Sequence, residues 1–147
     1  MKKKKVMILV NHDLVIYNFR KELVKRLLDN GFEVIVVSPY GDRIELLLEL
    51  GIKFFEIDIE RHGMNPINEV RLIYVYRSII KKINPDIILT YTIKPNIYGS
   101  LAARNLKIPL IANITGLGNA VNSDSVLSRL ISLLYKFGFE TVRTIFF

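Results

Sequence analysis

The sequence predicts an α/β protein, a Rossmann-like doubly wound parallel sheet, on three observations. Short, mostly apolar runs recur at residues 6–10 (VMILV), 32–37 (FEVIVV), 86–89 (DIIL) and 108–114 (IPLIANI), as expected of parallel strands buried on both faces. Between them lie stretches whose apolar residues fall at three- and four-residue spacing, the mark of helices with one buried face. Half of the 147 residues are hydrophobic, enough for one domain with its own core. Strand and helix alternate throughout, which places helices on both faces of the sheet and loops at every strand's carboxyl end, where such folds bind ligands.

Taken in order, Lys2, Lys3, Lys4 and Lys5 form a solvated lead-in or a membrane contact. The first strand, residues 6–10, is too short for a signal peptide before it meets Asn11, His12 and Asp13. Residues 12–15 connect it to one helix whose apolar face carries Ile16, Phe19, Leu23, Val24, Leu27 and Leu28. Arg20, Lys21, Lys25 and Arg26 lie mostly off that face. Asn30-Gly31 is a helix stop, residues 32–37 form the second strand, and Ser38-Pro39-Tyr40-Gly41 breaks it. A short helix over 43–50 ends at Gly51, and 53–57 is the third strand.

The polar loop 58–65 leads into a helix opened by Pro66 at a first-turn position. Leu72, Ile73, Tyr76, Ile79, Ile80 and Ile83 share its core face. Arg71, Tyr74, Ser78, Lys81 and Lys82 share the opposite one, which is either simply solvated or a surface for an anionic membrane. Residues 85–119 read as a strand–helix–strand unit with a polar loop at each strand's exit: Thr90, Tyr91, Thr92, Lys94 and Asn96 after one, Thr115-Gly116-Leu117-Gly118-Asn119 after the other. Ile97, Leu101, Ala102 and Leu106 mark the helix between them. Asn122-Ser123-Asp124 can cap a last helix, residues 126–137, with more apolar surface than one buried stripe requires. A sixth strand over 141–147 runs to Phe146 and Phe147. We expect a longer protein, or a partner, to cover that end.

Composition narrows the chemistry. With 21 Lys plus Arg against 14 Asp plus Glu the formal charge is +7, which suits nucleic acid, an anionic membrane or a phosphorylated small molecule. There is no cysteine, hence no disulfide framework or thiolate metal site, and His12 and His62 lack metal-ligand spacing. No metal and no resident cofactor is expected. A nicotinamide fold needs Gly-x-Gly-x-x-Gly directly after its first strand, but residues 11–19 hold no glycine, and no Walker loop occurs anywhere. The amides of Thr115-Gly116-Leu117-Gly118 can cup a phosphate or a sugar hydroxyl, or simply make a tight turn. Lys94 is either a phosphate-neutralising cation or an exposed loop lysine. His12 is a candidate general base or hydrogen-bond donor, or a polar loop residue. No Ser/His/Asp or paired-carboxylate constellation is visible, because sequence does not place Asp13, Asp58 and Glu60 relative to one another.

Three segments carry a family resemblance: Asp58-x-x-Arg61-x-Gly63-x-Asn65-Pro66, residues 85–99 (PDIILTYTIKPNIYG), and Asn113-Ile114-Thr115-Gly116-Leu117-Gly118. Together, and in this order, they resemble the N-terminal domain of glycosyltransferase family 4, in the branch that builds bacterial capsule, exopolysaccharide and lipid-linked oligosaccharide. The resemblance covers essentially the whole chain. It implies a GT-B fold, in which two Rossmann-like domains face each other across a cleft, with residues 1–147 as the acceptor-binding half and the nucleotide-sugar domain outside this chain. Two departures stand out. Many relatives have a glycine-rich loop where this chain has Asn11-His12-Asp13-Leu14, and others carry a histidine where it has Thr115, so that catalytic histidine does not carry over.

The resemblance implies a retaining, metal-independent transferase that uses a nucleotide-sugar, here a UDP-sugar, as co-substrate. The acceptor would be a polyprenyl-diphosphate-linked or polysaccharide glycan at the inner face of the cell membrane, with no nucleic acid partner. Asn11, His12, Lys94, Asn96, Thr115, Gly116 and Gly118 are the expected cleft residues, with His12 the one candidate for catalysis, and Arg71, Tyr74, Lys81 and Lys82 the expected membrane surface. This chain alone is expected to be inactive, needing its C-terminal GT-B domain in cis or from a partner subunit. Two rival expectations are a non-catalytic, membrane-docked acceptor-binding subunit of a split transferase, and half of a nucleotide-sugar epimerase on the same two-domain fold.

Overall fold

The computed structural model describes residues 1–60, 63, 65–115, 126–140 and 142–146. Among these residues, β1 (Lys5–Leu9), β2 (Glu33–Ser38), β3 (Lys53–Glu56), β4 (Ile87–Tyr91), β5 (Leu110–Asn113) and β6 (Thr144–Phe146) form one sheet in the order β3-β2-β1-β4-β5-β6. Every pairing is parallel. The order runs outward from β1 in one direction and then from β4 in the other, so it reverses between these two strands, which pair from Val6 with Ile87 to Leu9 with Thr90. In open α/β sheets a ligand sits beyond the carboxyl ends of the strands at such a reversal. The exits of β1 and β4 therefore flank the site.

Period-two alternation along the strands feeds two separate cores. Met7, Leu9, Ile35, Val37 and Ile88 face α4 (Pro66–Ile83), α5 (Ser100–Ala103) and α6 (Val126–Phe139). Val6, Ile8, Val10, Val34 and Val36 face α1 (Asp13–Phe19), α2 (Lys21–Asp29) and α3 (Ile44–Glu49). Helix α4 starts where its sequence says: Asn65 accepts a hydrogen bond from the Ile67 N–H at 3.0 Å, Pro66 sits in the first turn, and Asn84 ends the helix at φ 49°. Leu72, Tyr76, Ile80 and Ile83 are buried, as the periodicity predicts.

Most element ends shift by one to three residues from the sequence reading, and four differences matter most. The single helix expected after β1 is two, broken at Arg20 (φ −130°, ψ 5°) without glycine or proline; the Arg20 guanidinium lies 5.2 Å from the centroid of the Tyr91 ring. β4 runs on through Thr90 and Tyr91, two strand-favouring residues that pair with Ala112 and Asn113, so both belong to the sheet and not to the loop. The helix after β4 opens as a π-helical turn, Pro95–Gly99, and closes at Ala103, short of Leu106, where Asn105 and Lys107 turn the chain at positive φ. The last strand is confined to Thr144–Phe146. Ile131 of α6 is buried and Leu134, Tyr135 and Phe139 pack on the core, while Leu130, Leu133 and Phe137 stay exposed, the apolar excess read from the sequence. The cap expected at Asn122-Ser123-Asp124 lies outside the described residues. No helix among the described residues is long and apolar enough to cross a membrane.

Candidate functional site

At the β1 exit His12 occupies the position just before α1 on an extended backbone (φ −157°, ψ 131°). Its Nδ1 stands 2.5 Å from Oδ1 of Asp13, whose side chain is 3% exposed, and Asp13 Oδ2 accepts the Arg43 N–H at 2.8 Å. Gly41 packs so closely on this carboxylate that any Cβ there would collide with it. One buried carboxylate thus ties the β1–α1 loop to the β2–α3 loop. Burial alone would raise the Asp13 pKa. The Arg43 N–H, the His12 ring and the Leu14 N–H outweigh it and hold the carboxyl below its ordinary value. An ionised Asp13 makes Nδ1–H the donor in the short contact. The Leu14 N–H, 3.2 Å from the same nitrogen, then serves the carboxylate. His12 Nε2 has no partner among the described residues, and its ring is 28% exposed. Asn11 is half-buried beside it.

The β4 exit is built differently. Lys94 Nζ donates to the carbonyl of Gly63 at 2.7 Å, to Glu69 Oε1 at 2.7 Å and to the carbonyl of Glu60. An ammonium has three donors, so none is left over, and the side chain is only 12% exposed. Lys94 clamps the loop after β3 onto α4; it is not a free cation in the cleft. Asn96, 1% exposed, accepts from the Thr90 hydroxyl at 2.7 Å and donates to the Asn113 carbonyl at 3.0 Å. The Asn113 side chain returns a bond to the Thr90 carbonyl at 3.3 Å. The π-helical turn winds Asn96 inward, where it couples β4 to β5 and is buried away from a ligand. Between these two residues and the strand, Thr92 holds φ 72°, a left-handed conformation that a β-branched residue adopts only under constraint.

Beyond β5, Thr115 is exposed at the edge of a pocket of about 520 Å³ lined by Val15, Phe19, Arg20, Asn113, Ile114, Thr115 and Phe146. A more polar pocket of about 400 Å³ lies by the first turns of α4, among Asp58, Glu60, Asn68, Glu69 and Arg71. No group of His, Cys, Asp and Glu among the described residues could hold a metal ion. Gly116 and Gly118, and Arg61 and His62 of the loop after β3, lie outside the described residues. On the outer face of α4, Arg71, Tyr74, Lys81 and Lys82 are all exposed, and Ile67 (77% exposed) and Val70 (51%) extend the same stripe toward the cleft edge. The sequence reading had not joined those two to it, nor had it singled out Asp13 or Arg20. An acid directly behind a histidine at a helix start was the one local signal for Asp13.

A Rossmann-like parallel sheet with no dinucleotide glycine loop after its first strand is the fold class of GT-B proteins. The chain belongs to the glycosyl transferase 4-like family, whose model matches residues 5–147. It is 32% identical over 130 residues to the N,N'-diacetylbacillosaminyl-diphospho-undecaprenol alpha-1,3-N-acetylgalactosaminyltransferase of Campylobacter jejuni, covering 85% of this chain and 35% of that protein. Among solved structures it resembles MurG of Acinetobacter baumannii (TM-score 0.65, 23% identity, 97% of this chain and 40% of that one). It also resembles a UDP-N-acetylglucosamine 2-epimerase (TM-score 0.65, 18% identity, 99% and 40%). At these identities the two structural likenesses show the fold alone. The chain spans about a third of the length of the curated relative it matches.

Proposed function

We propose that this chain is the acceptor-binding half of a retaining glycosyltransferase that moves a sugar from a UDP-sugar to a polyprenyl-diphosphate-linked glycan at the inner face of the cell membrane, in the synthesis of capsule, exopolysaccharide or lipid-linked oligosaccharide. The observation that carries the reading is His12. At the sheet's point of reversal one imidazole nitrogen is fixed by a buried carboxylate and the other is left for a ligand. Nε2 can accept a hydrogen bond from the acceptor hydroxyl or, when protonated, donate one to the departing diphosphate. Both are electrostatic tasks that need no metal and no covalent intermediate. The lipid-linked acceptor is supported by the Campylobacter jejuni relative, which is named for a diphospho-undecaprenol substrate. The nucleotide-sugar domain is supplied in cis or by a partner subunit.

The test is transfer of labelled sugar from UDP-sugars to an undecaprenyl-diphosphate-linked saccharide, by protein that contains this chain together with a nucleotide-sugar domain. Transfer with retained anomeric configuration, undiminished by EDTA, is the expected result. Turnover by the 147-residue chain alone would overturn the division of labour, and no transfer from any UDP-sugar would overturn the donor assignment. Membrane attachment is assigned to the α4 stripe. Each basic residue near an anionic surface contributes about 1 kcal/mol, and Ile67, Val70 and Tyr74 add apolar contact. Co-sedimentation should be stronger with phosphatidylglycerol vesicles than with neutral ones, and weaker in high salt and for Lys81→Glu with Lys82→Glu. Equal binding to both vesicle types would remove the electrostatic part.

A further inference from the structure

Arg20 stands apart from His12 and Lys94, yet the backbone is arranged around it. The helix after β1 breaks at this residue with neither glycine nor proline to break it. The guanidinium is half-buried, stacked 5.2 Å from the centroid of the Tyr91 ring, with Nη1 donating to the Phe19 carbonyl at 3.0 Å. Stacking, the Phe19 carbonyl and the Tyr91 hydroxyl engage a face and part of its five N–H donors, and leave the rest for a ligand. Among the described residues no carboxylate pairs with Arg20, so a part-desolvated positive charge is left uncompensated in the wall of the 520 Å³ pocket. The other walls are Val15, Phe19, Ile114 and Phe146, and Phe19 and Phe146 are 70% and 56% exposed, costly in water unless something apolar covers them. The exposed Thr115 offers a hydroxyl at the rim.

We infer that this pocket is the seat of the acceptor's diphosphate, held by Arg20 with its first isoprene units against Phe19 and Phe146. An anion with an apolar tail satisfies both the guanidinium and the aromatic walls. A free phosphate satisfies only the first, and a neutral lipid only the second. Arginine suits the task because its planar fork binds two oxygens of a phosphate at once. The pocket adjoins the turn that carries His12, since Val15 lines the pocket and its N–H bonds the His12 carbonyl at 3.2 Å. A diphosphate seated there places the attached sugar toward His12. The inference rests on the lipid-linked acceptor proposed above, but it concerns binding and needs no sugar transfer.

The experiment titrates the full chain with farnesyl diphosphate, inorganic pyrophosphate, farnesol and UDP by calorimetry. Farnesyl diphosphate should bind tightest, and Arg20→Gln should weaken it about tenfold or more, with Arg20→Lys losing less. Phe19→Ser should weaken farnesyl diphosphate and leave pyrophosphate unchanged. Thermal melts of each variant identify any that fail to fold, and Arg20→Lys then stands in for Arg20→Gln. No binding of farnesyl diphosphate, equal binding of pyrophosphate, displacement by UDP at equal concentration, or indifference to both Arg20 variants would each overturn the assignment. Sugar transfer that persists with an unaltered acceptor KM in Arg20→Gln would overturn it too, while leaving the proposed reaction intact.

Discussion

The exits of β1 and β4 lie side by side at the reversal of the sheet, and in sequence they look alike: each is a polar loop with one ionisable nitrogen base, His12 or Lys94. In the structure they are opposites. Lys94 spends all three protons on Gly63, Glu60 and Glu69, and Asn96 spends its amide on Thr90 and Asn113. His12 spends one nitrogen on Asp13 and, among the described residues, keeps the other. A polar residue at a strand exit serves a ligand only with the hydrogen-bonding capacity that the fold has not already used. By that measure the β4 exit is scaffold, and the β1 exit is the side we propose as reactive. Beside the clamp, burial and the Glu69 carboxylate together push the Tyr98 hydroxyl above its ordinary pKa.

The largest effect should come from the β1 side. In protein containing both halves, His12→Ala is expected to lower the transfer rate by about 10²- to 10⁴-fold, the usual span for a positioned acid or base. The accompanying stability loss should be about 1.5–3 kcal/mol, the worth of a hydrogen bond to a charged group, here the Asp13 carboxylate. Rate assays beside a thermal melt separate the two. A rate within a factor of about two of the parent would break the comparison at its stronger end.

Next comes Lys94. If it is scaffold, Lys94→Met strands the Glu69 charge and should cost about 3–5 kcal/mol of stability. Lys94→Met combined with Glu69→Leu should recover most of that, since a buried pair replaced by apolar residues is often close to neutral. Activity per folded molecule should survive in the double variant. Abolished activity with an unchanged melting curve would return Lys94 to the cleft.

These two residues also mark how far the sequence could be read. Strands β1 and β2, the helix start at Pro66 and the two faces of α4 were legible because periodicity and capping are local, within four residues of each other. Strand order was not written in any one segment. The His12–Asp13 pair was half legible, since the neighbours are adjacent, but what fixes it comes from Gly41 and Arg43, about 30 residues away. The Lys94 clamp depends on partners 25 to 34 residues distant. The π-helical turn that buries Asn96 has no local signature comparable to a cap or a glycine. Whether a polar group is free or spent is a property of tertiary contacts, so the sequence could name candidates but not sort them. Gly116 and Gly118, expected in the cleft, lie outside the described residues.

Asp13 offers a third test, through acid. Its carboxyl is held below the ordinary value in the fold, so the stability it contributes is present above its unfolded value of about 4 and is lost as pH falls through the folded value. Asp13→Asn should therefore be less stable than the parent by about 1–3 kcal/mol at neutral pH, from the loss of charged hydrogen bonds to Arg43 and His12. The gap should close below pH 4. Denaturant melts across pH 3 to 7 measure it, and a gap that stays constant would mean that Asp13 contributes shape alone.

The smallest effect concerns Thr92, the strained residue between the two exits. A left-handed backbone costs a residue with a side chain about 1–2 kcal/mol, more for a β-branched one, and glycine escapes that cost. Thr92→Gly also gives up the hydroxyl's bond to the Tyr91 carbonyl at 2.5 Å, worth about 0.5–1.5 kcal/mol. The net should be a gain of a few tenths of a kcal/mol up to about 1 kcal/mol, a rise in melting temperature of a few degrees at most. Lys107 also holds a positive φ, at 57°, in the turn before β5 at the far end of the sheet, and provides the control. Lys107→Gly should stabilise without touching transfer. If the strain at Thr92 holds the β4 exit in shape for a ligand, Thr92→Gly will stabilise and yet raise the acceptor KM, because the loop gains freedom that binding must then remove. Equal behaviour of the two variants would assign the Thr92 conformation to the fold alone, and a destabilised Thr92→Gly would show that its hydroxyl bond outweighs the strain.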